Sequence, residues 1–310
     1  MNAAIASTLL LSMIPSIQLP IGFWQVSPAN RVTVDGEPVE MKLVKTRAAV
    51  IIHGMQLYPI RPEKAAKPQQ HDYQMPKSPL VEALAPDFDV YSLSYAQTVT
   101  VDGISISEGV RSNIEKLRAV GYKEIILIGH SAGGMIARHF VERYPKSGVT
   151  KVIEVCAPNL GSEFATINLG LPKLQIPIIK SLDPKTRTNI SEYATTLSKE
   201  IEFVCVVCKV RGIPSDTLVG LDSQWPIDLQ KQGVPAALVA INHFDAMKAS
   251  HSVNLIGELA REKLVRWTPE QVETGRQILF GREADMAAIK KADVRDRPLL
   301  KLLGKKLADR

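Results

Sequence analysis

Cysteine is scarce in this chain, with three among 310 residues. A disulfide scaffold needs several cysteine pairs, and a zinc site needs cysteine or histidine at short, regular spacings. The sequence has neither pattern. It also has no uninterrupted apolar run after residue 25 that is long enough to cross a bilayer. These absences exclude a disulfide-stabilised miniprotein and a zinc finger, and they leave no candidate membrane span after residue 25.

The composition is that of a globular protein. Hydrophobic residues make up 45% and charged residues 23% of the chain, which argues against a disordered, collagen-like or coiled-coil protein. A chain of 310 residues can bury a sizeable core in one large domain or two small ones. Glycine motifs that bind phosphate or dinucleotides are missing, so no nucleotide cofactor is expected.

The positive charge of the chain is concentrated at its C-terminal end. The net charge is +6, and residues 288–310 hold eight basic and three acidic side chains, so five of the six net charges lie there. The main body is nearly neutral and gives no electrostatic reason to expect nucleic acid. We interpret residues 271–310 as a basic helical tail whose Lys and Arg side chains point into water. Anionic lipid, acidic protein or RNA are the alternative partners of this tail.

Residues 1–22 form a separate apolar segment. The stretch 3–14 has the length of the apolar region of a signal peptide, but no Lys or Arg precedes it and no clear cleavage site follows. Pro15 and Pro20 argue against a membrane helix. Export and a cytoplasmic location therefore stay equally open. After this segment, the Asp35-Gly36 turn predicts a β-hairpin from Trp24 to Lys45.

Short apolar runs alternate with helical stretches after the hairpin. Runs rich in Val and Ile are typical of strands buried on both faces of a parallel sheet, and their alternation with helices predicts βαβ units. We therefore predict an α/β domain over residues 23–270, with a mostly parallel, doubly wound sheet. Pro172, Pro177 and Pro184 interrupt this rhythm, and we interpret residues 160–200 as a helical cap over the mouth of the sheet, with an ordinary long crossover as the alternative. The predicted strands are 48–52, 88–95, 124–129, 149–156, 201–210 and 236–241, and the main predicted helices are 107–120, 133–144 and 252–267.

The strongest chemical signal is Gly129-His130-Ser131-Ala132-Gly133. It matches Gly-x-Ser-x-Gly, and it lies between an apolar strand and a helix, which is the context of a nucleophile elbow. In such an elbow the serine occupies a strained turn that lifts its hydroxyl above the sheet edge, so the positions two before and two after it are crowded. The pattern predicts Ser131 as a nucleophile, with Gly129 and Gly133 as the elbow glycines.

A serine hydroxyl is a weak nucleophile and needs a base. In this arrangement the chain order is serine, acid, histidine, so the base should follow the last strand. His243 lies directly beyond that strand, and His251 is the alternative. The acid fixes the tautomer of the imidazole and should follow the fifth strand, where Asp216 is preferred and Asp222 is the alternative.

The oxyanion of a tetrahedral intermediate needs two backbone N–H donors. We expect one from Ala132, at the N-terminus of a helix whose dipole favours negative charge. We expect the other from Met55, in the loop after the first buried strand, where Gly54 lets the backbone approach the substrate closely. Both donors would then bind the oxygen of a carbonyl that Ser131 attacks.

Together these motifs resemble those of the α/β-hydrolase superfamily, and within it the bacterial lipases and lipase-like serine esterases. The resemblance covers about residues 45–265 and includes Cys156-Ala157-Pro158-Asn159-Leu160-Gly161-Ser162 after the fourth strand. Ala157 and Asn159 depart from the family's Thr-Pro-His-x-Gly-Ser segment, and Thr217 replaces the glycine of its acid loop. The resemblance implies hydrolysis of carboxylic esters with lipid-like or hydrophobic acyl groups, through an acyl-enzyme on Ser131.

Other functions stay open within the same resemblance. An acyltransferase, a thioesterase or a peptidase uses the same triad, and a non-catalytic binding module can keep the fold. Asn242-His243-Phe244-Asp245 is also similar to a pattern in calcium-containing bacterial lipases, where the aspartate helps hold calcium, but the other ligands are not identifiable. We therefore expect no metal and no cofactor. The expected partner is a small-molecule ester or lipid, with transient membrane contact through the cap or the basic tail and no nucleic acid.

Overall fold

The computed structural model describes residues 19–28, 41–167, 171–191 and 196–281. Three sequence-based predictions fall wholly or mostly outside these residues. They are the apolar N-terminal segment, the strands on either side of the Asp35-Gly36 turn, and the charged part of the C-terminal tail.

A seven-stranded sheet forms the centre of the described part. Its strands are β1 (Ile21–Ser27), β2 (Arg47–Ile52), β3 (Asp89–Tyr95), β4 (Glu124–His130), β5 (Val149–Val155), β6 (Glu202–Cys208) and β7 (Ala236–Val239). The spatial order is β1-β3-β2-β4-β5-β6-β7. Only the β1–β3 pair is antiparallel among the described strands, and every other neighbouring pair is parallel.

Helices connect and flank these strands. No helix in the described ranges combines the length and the apolar character that a membrane span requires. The α-helices are α1 (Pro79–Leu84), α2 (Val101–Ser105), α3 (Glu108–Val120), α4 (Ala132–Arg143), α5 (Ile176–Ser181), α6 (Pro184–Ser191), α7 (Leu221–Gln224), α8 (Ile227–Lys231), α9 (Ser250–Arg261) and α10 (Pro269–Phe280). Single turns of 3₁₀-helix occupy Pro62–Ala66, Asp72–Gln74, Glu163–Thr166 and Lys173–Gln175.

The sheet has an apolar core on each face. On β2, Ala48, Val50 and Ile52 belong to one core, while Ala49 and Ile51 belong to the other, as the alternation of side chains along a strand requires. All five are at most 1% exposed. A strand buried on both faces has no polar positions to offer water, which explains the continuous apolar runs. The predicted α/β fold with a mostly parallel sheet is confirmed.

Two elements differ from the sequence-based expectation. β1 pairs with β3, from Ile21 opposite Tyr95 onward, so residues 21–27 form a sheet edge strand. α9 ends at Arg261 and does not continue to Trp267. The reason is tertiary, because the Trp267 N–H donates to the Gly233 carbonyl at 2.7 Å, which holds the chain in a separate connection.

The short helices between β5 and β6 occupy the segment that we interpreted as a cap. α6 is fastened to the body by a buried guanidinium. Arg187 Nη1 donates to Asp102 Oδ2 at 2.9 Å, and Arg187 Nη2 lies 2.9 Å from His139 Nε2. Because a guanidinium only donates, His139 Nε2 accepts, and its Nδ1–H then donates to Asp102 Oδ1 at 2.7 Å.

α10 joins the beginning of the expected tail to the body. Thr268 caps the helix, with Gln271 completing a reciprocal capping box. On the inner side Leu279 is fully buried, and the ring of Phe280 stacks on that of Trp225 with centroids 6.2 Å apart. Residues 271–280 are therefore part of the folded body.

Replacing Leu279 with Ala should measure how strongly α10 is attached. Removing a fully buried leucine leaves a cavity, so the free energy of unfolding should fall by about 2–5 kcal/mol. The matched control is Glu273→Ala, on the exposed side of the same helix, which should change it by less than about 0.5 kcal/mol. Urea denaturation gives both values. Equal small effects would mean that α10 does not contribute to the cooperative fold.

Candidate active site

Ser131 occupies a strained turn between β4 and α4. Its φ of 53° and ψ of −125° fall outside the regions that residues with a Cβ normally adopt. Backbone bonds hold it there, because the Ser131 N–H donates to the Val155 carbonyl at 2.8 Å and the Ser131 carbonyl accepts from Gly134 N–H at 2.9 Å. The end of strand β5 and the first turn of α4 thus hold Ser131 in an unusual backbone conformation.

The glycines on either side of Ser131 are required by space. A Cβ on Gly129 would overlap the backbone of Gly133 and Gly134, and a Cβ on Gly133 would overlap the carbonyl groups at the end of β2. A Cβ on Gly54 would lie 2.8 Å from that of Ser131. The end of β2, the turn and the start of α4 therefore touch without side chains between them.

Asp216 and His243 are directly bonded. The carboxylate oxygen Oδ2 lies 2.7 Å from His243 Nδ1, and the His243 N–H donates to the Asp216 carbonyl at 2.8 Å. Asp216 is fully buried, and its Oδ1 accepts from the N–H groups of Leu218 and Val219. This carboxylate accepts the Nδ1 hydrogen of His243, which leaves Nε2 free to act as a base.

A cavity of about 460 Å³ contains both Ser131 and His243 in its wall. Met55 also lines it. Among the described residues, the N–H groups of Met55 and Ala132 have no hydrogen-bond acceptor within the protein. A tetrahedral intermediate requires two such N–H donors together with a nucleophile and a base.

The two alternative residues lie elsewhere. Asp222 is exposed in α7, where its Oδ1 accepts from the Ser223 N–H at 3.0 Å. His251 is exposed at the start of α9. Neither contributes to the wall of the cavity. The structure thus places Ser131 and His243 in the wall of one cavity, bonds Asp216 to His243, and leaves the other two residues apart.

His130 and Tyr73 form a buried connection that the sequence analysis missed. His130 Nε2 lies 3.0 Å from the His243 carbonyl oxygen; since a carbonyl only accepts, Nε2 carries the hydrogen and Nδ1 accepts from the Tyr73 hydroxyl at 3.3 Å. The Tyr73 oxygen in turn accepts from Gly54 N–H at 3.3 Å. These bonds tie the loop after β2 to the loop that carries His243. His130 belongs to the glycine-serine motif, but no local pattern marks Tyr73.

Burial keeps the neighbouring imidazoles neutral. The pKa of His130 is lowered well below its usual value, first by burial and then by repulsion from His243. Burial is also the main reason that the pKa of His53 is lowered to about 3, with His71 adding to the effect. Neutral rings keep the hydrogen-bond directions described above, since a protonated His130 could not accept from Tyr73.

Asp245, the candidate calcium ligand of the Asn-His-x-Asp pattern, has a partner within the protein. Asp245 is exposed, and its Oδ2 accepts from Asn242 Nδ2 at 2.7 Å in a local turn. Within the described ranges, the group of three or more His, Cys, Asp or Glu side chains close enough to share an ion is His130, Cys156 and His243. It lacks Asp245 and offers no oxygen ligand, whereas calcium takes oxygen ligands.

Comparison with known proteins agrees with this geometry. A family model described as the alpha/beta hydrolase fold matches residues 104–174, which contain the Ser131 turn. The chain therefore has the α/β-hydrolase fold. No curated protein matches the sequence.

Solved structures with a similar fold include a lipase and a phospholipase. The mature lipase BlEst2 from Bacillus licheniformis gives a TM-score of 0.54 at 12% identity, over 73% of this chain and 96% of that one. The phospholipase PlaB from Legionella pneumophila gives 0.53 at 15% identity, over 71% of this chain and 60% of that one. The structural similarity establishes a common fold. Identities this low do not establish a common activity.

Replacing Gly129 with Ala should destabilise the protein sharply. The added methyl group meets backbone atoms of Gly133 and Gly134 that no side-chain rotation can move, so the free energy of unfolding should fall by about 1–3 kcal/mol or more. The control is Gly257→Ala in α9, where the added methyl group meets the flexible end of Arg261 at 3.2 Å and should stabilise the helix by about 0.5–1 kcal/mol. Thermal or urea unfolding measures both. Tolerance of alanine at position 129 would contradict the described turn.

Proposed function

We propose that this protein is a serine hydrolase that cleaves carboxylic esters through an acyl-enzyme on Ser131. The observation that carries the proposal is the buried Asp216–His243 bond of 2.7 Å, whose imidazole shares one cavity with a serine in a strained strand–helix turn. A catalytic triad is recognised by the roles and geometry of a nucleophile, a base and an orienting acid, and this combination supports one here.

The proposed reaction follows from the protonation states. His243 Nε2 takes the proton of the Ser131 hydroxyl as the oxygen attacks the ester carbonyl, and Asp216 stabilises the imidazolium that forms. The N–H groups of Met55 and Ala132 bind the oxyanion, and each such donor contributes about 2.7–4 kcal/mol. The imidazolium then protonates the departing alcohol. Water, activated by the same base, hydrolyses the acyl-enzyme.

An apolar wall of the cavity favours a hydrophobic acyl group. This wall consists of Phe164, Ala165, Leu182, Leu218 and Val219. Ser162 joins its segments, because its N–H donates to the Leu182 carbonyl at 2.9 Å and its hydroxyl donates to the Leu218 carbonyl at 2.6 Å. Apolar surface in a pocket of this size binds hydrocarbon by removing it from water.

A lipid-like substrate agrees with exposed apolar side chains at the cavity and in the cap segment. Phe244, beside His243, is 64% exposed, and Ile167 and Leu174 in the cap segment are 47% and 44% exposed. We propose that these side chains make transient contact with a membrane or lipid surface. The similar folds of a lipase and a phospholipase support the same class of substrate.

Labelling with a fluorophosphonate probe tests the nucleophile. Wild-type protein should react covalently, and Ser131→Ala should not, since the probe needs an activated serine. Turnover of p-nitrophenyl esters of rising chain length should fall by about 10⁴–10⁶-fold in the same variant. Circular dichroism of the variant checks that its fold is intact. Equal labelling of both proteins, or none of either, would refute the proposal.

Paired histidine variants test the base. His243→Ala should reduce kcat by about 10²–10⁴-fold because it removes general-base catalysis. His251→Ala, at the exposed histidine that follows in sequence, should change kcat by no more than a few fold. The ester hydrolysis assay with the best substrate of the panel gives both values. The opposite result would assign the base to His251.

A further inference from the structure

A second wall of the same cavity is polar. We define the polar wall as Gln70, His71, Asp72 and Lys248, all of which line the cavity. The first three precede or begin the 3₁₀ turn Asp72–Gln74. Tyr73, next in sequence, is bonded to His130 at 3.3 Å, so this wall adjoins the serine turn. Ester chemistry does not require these four side chains, and their presence needs another explanation.

Two nitrogen atoms of the polar wall are buried without a partner. Gln70 Nε2 and His71 Nε2 have no hydrogen-bond partner among the described residues. A buried polar atom without a partner is unfavourable, so such atoms normally pair with protein, water or ligand. Both atoms belong to side chains in the wall of the cavity.

The polar wall holds one cation, Lys248, and one anion, Asp72, and the cation has the larger effect on His71. Neither Lys248 nor Asp72 lies within ion-pair distance of an opposite charge among the described residues. The pKa of His71 is lowered to about 4, first by burial, then by the Lys248 ammonium, with Asp72 acting in the opposite direction to a smaller extent. At this imidazole the positive charge therefore outweighs the negative one.

We propose that the polar wall is a subsite for an anionic oxygen group, a carboxylate or a phosphate, on the alcohol part of the ester. Gln70 Nε2 and Lys248 Nζ are donors and cannot accept, so they match oxygen atoms that only accept. The apolar wall is left for the acyl chain, and the ester bond lies between the two at Ser131. This inference rests on the proposed ester hydrolysis. Its experiment distinguishes failure of the subsite from failure of ester hydrolysis.

The test compares two chromogenic esters that differ in one charge. They are p-nitrophenyl butyrate and its analogue with a carboxylate on the ring beside the nitro group. The measured quantity is the ratio of kcat/KM for the anionic to the neutral ester, divided by the ratio of their rates with hydroxide alone, which corrects for leaving-group reactivity. For the wild-type protein, we expect this corrected ratio to exceed one.

Four variants assign the preference to the polar wall. Lys248→Met and Gln70→Leu should each lower the corrected ratio by about two- to fivefold, which is the effect of one ion pair to an exposed lysine or of one hydrogen bond. Asp72→Asn removes the opposing charge and should raise the ratio by a similar factor. Lys231→Met, on α8 outside the cavity, makes the same change of net charge and should leave the ratio unchanged.

Binding measurements keep the two proposals separate. If neither ester is hydrolysed, the proposed function fails, and the subsite is then tested by calorimetry with the two phenols, carboxylated and neutral. Tighter binding of the carboxylated phenol, lost in Lys248→Met, would support the subsite. A parallel pair, monobutyryl glycerol with and without phosphate on its free primary hydroxyl, shows which anion is preferred. A ratio near one in wild type, or an equal shift in Lys231→Met, would overturn the inference.

Discussion

The close contact between the end of β2 and the first turn of α4 is the constraint on which the site depends. A Cβ at Gly133 would overlap the carbonyl groups of β2, and a Cβ at Gly54 would lie 2.8 Å from that of Ser131. The backbone segments therefore pack directly against each other, and this close packing holds Ser131 at a φ of 53°. Cys156, at the end of the neighbouring strand, has a φ of 43°. Strain of this kind costs about 1–3 kcal/mol per residue and survives only where surrounding structure enforces it, here at the carboxyl edge where α/β sheets bind ligands.

Two of the three departures from the lipase pattern, Asn159 and Ala157, have a structural explanation. Asn159 replaces the family's histidine and bridges two buried charges: its Oδ1 accepts from Arg138 Nη1 at 3.1 Å, and its Nδ2 donates to Glu154 Oε2 at 3.0 Å. An amide can accept on one side and donate on the other. Burial raises the pKa of Glu154 to about 7, and the positive charge of Arg138 opposes this. A Cβ added to Gly134 would lie 2.8 Å from the Cβ of Ala157. The two segments are therefore close together, and a small side chain at position 157 suits this contact.

Local patterns predicted the fold and the three residues of the proposed triad, because each depends on short-range chemistry. Buried parallel strands must be apolar throughout, the serine turn needs glycines at fixed positions, and the order of strands places Asp216 before His243. The elements that escaped prediction are tertiary. The pairing of β1 with β3 depends on which strand edge is free, and the end of α9 depends on the Trp267 bond to Gly233. The Tyr73 hydroxyl gains its role from a histidine 57 residues away, and a single sequence carries no trace of that contact.

Neutrality of the buried imidazoles connects the packing to the proposed chemistry. During ester cleavage His243 would become an imidazolium, and a second positive ring 5.0 Å away at His130 would oppose that charge. Burial removes the conflict by lowering the pKa of His130, and the neutral ring then donates to the His243 carbonyl and accepts from Tyr73. Among the described residues, the Asp216 carboxylate is the only charged group that is bonded directly to the His243 ring. A more polar pocket would weaken this arrangement twice, because it would allow His130 to become charged and would screen the attraction of Asp216.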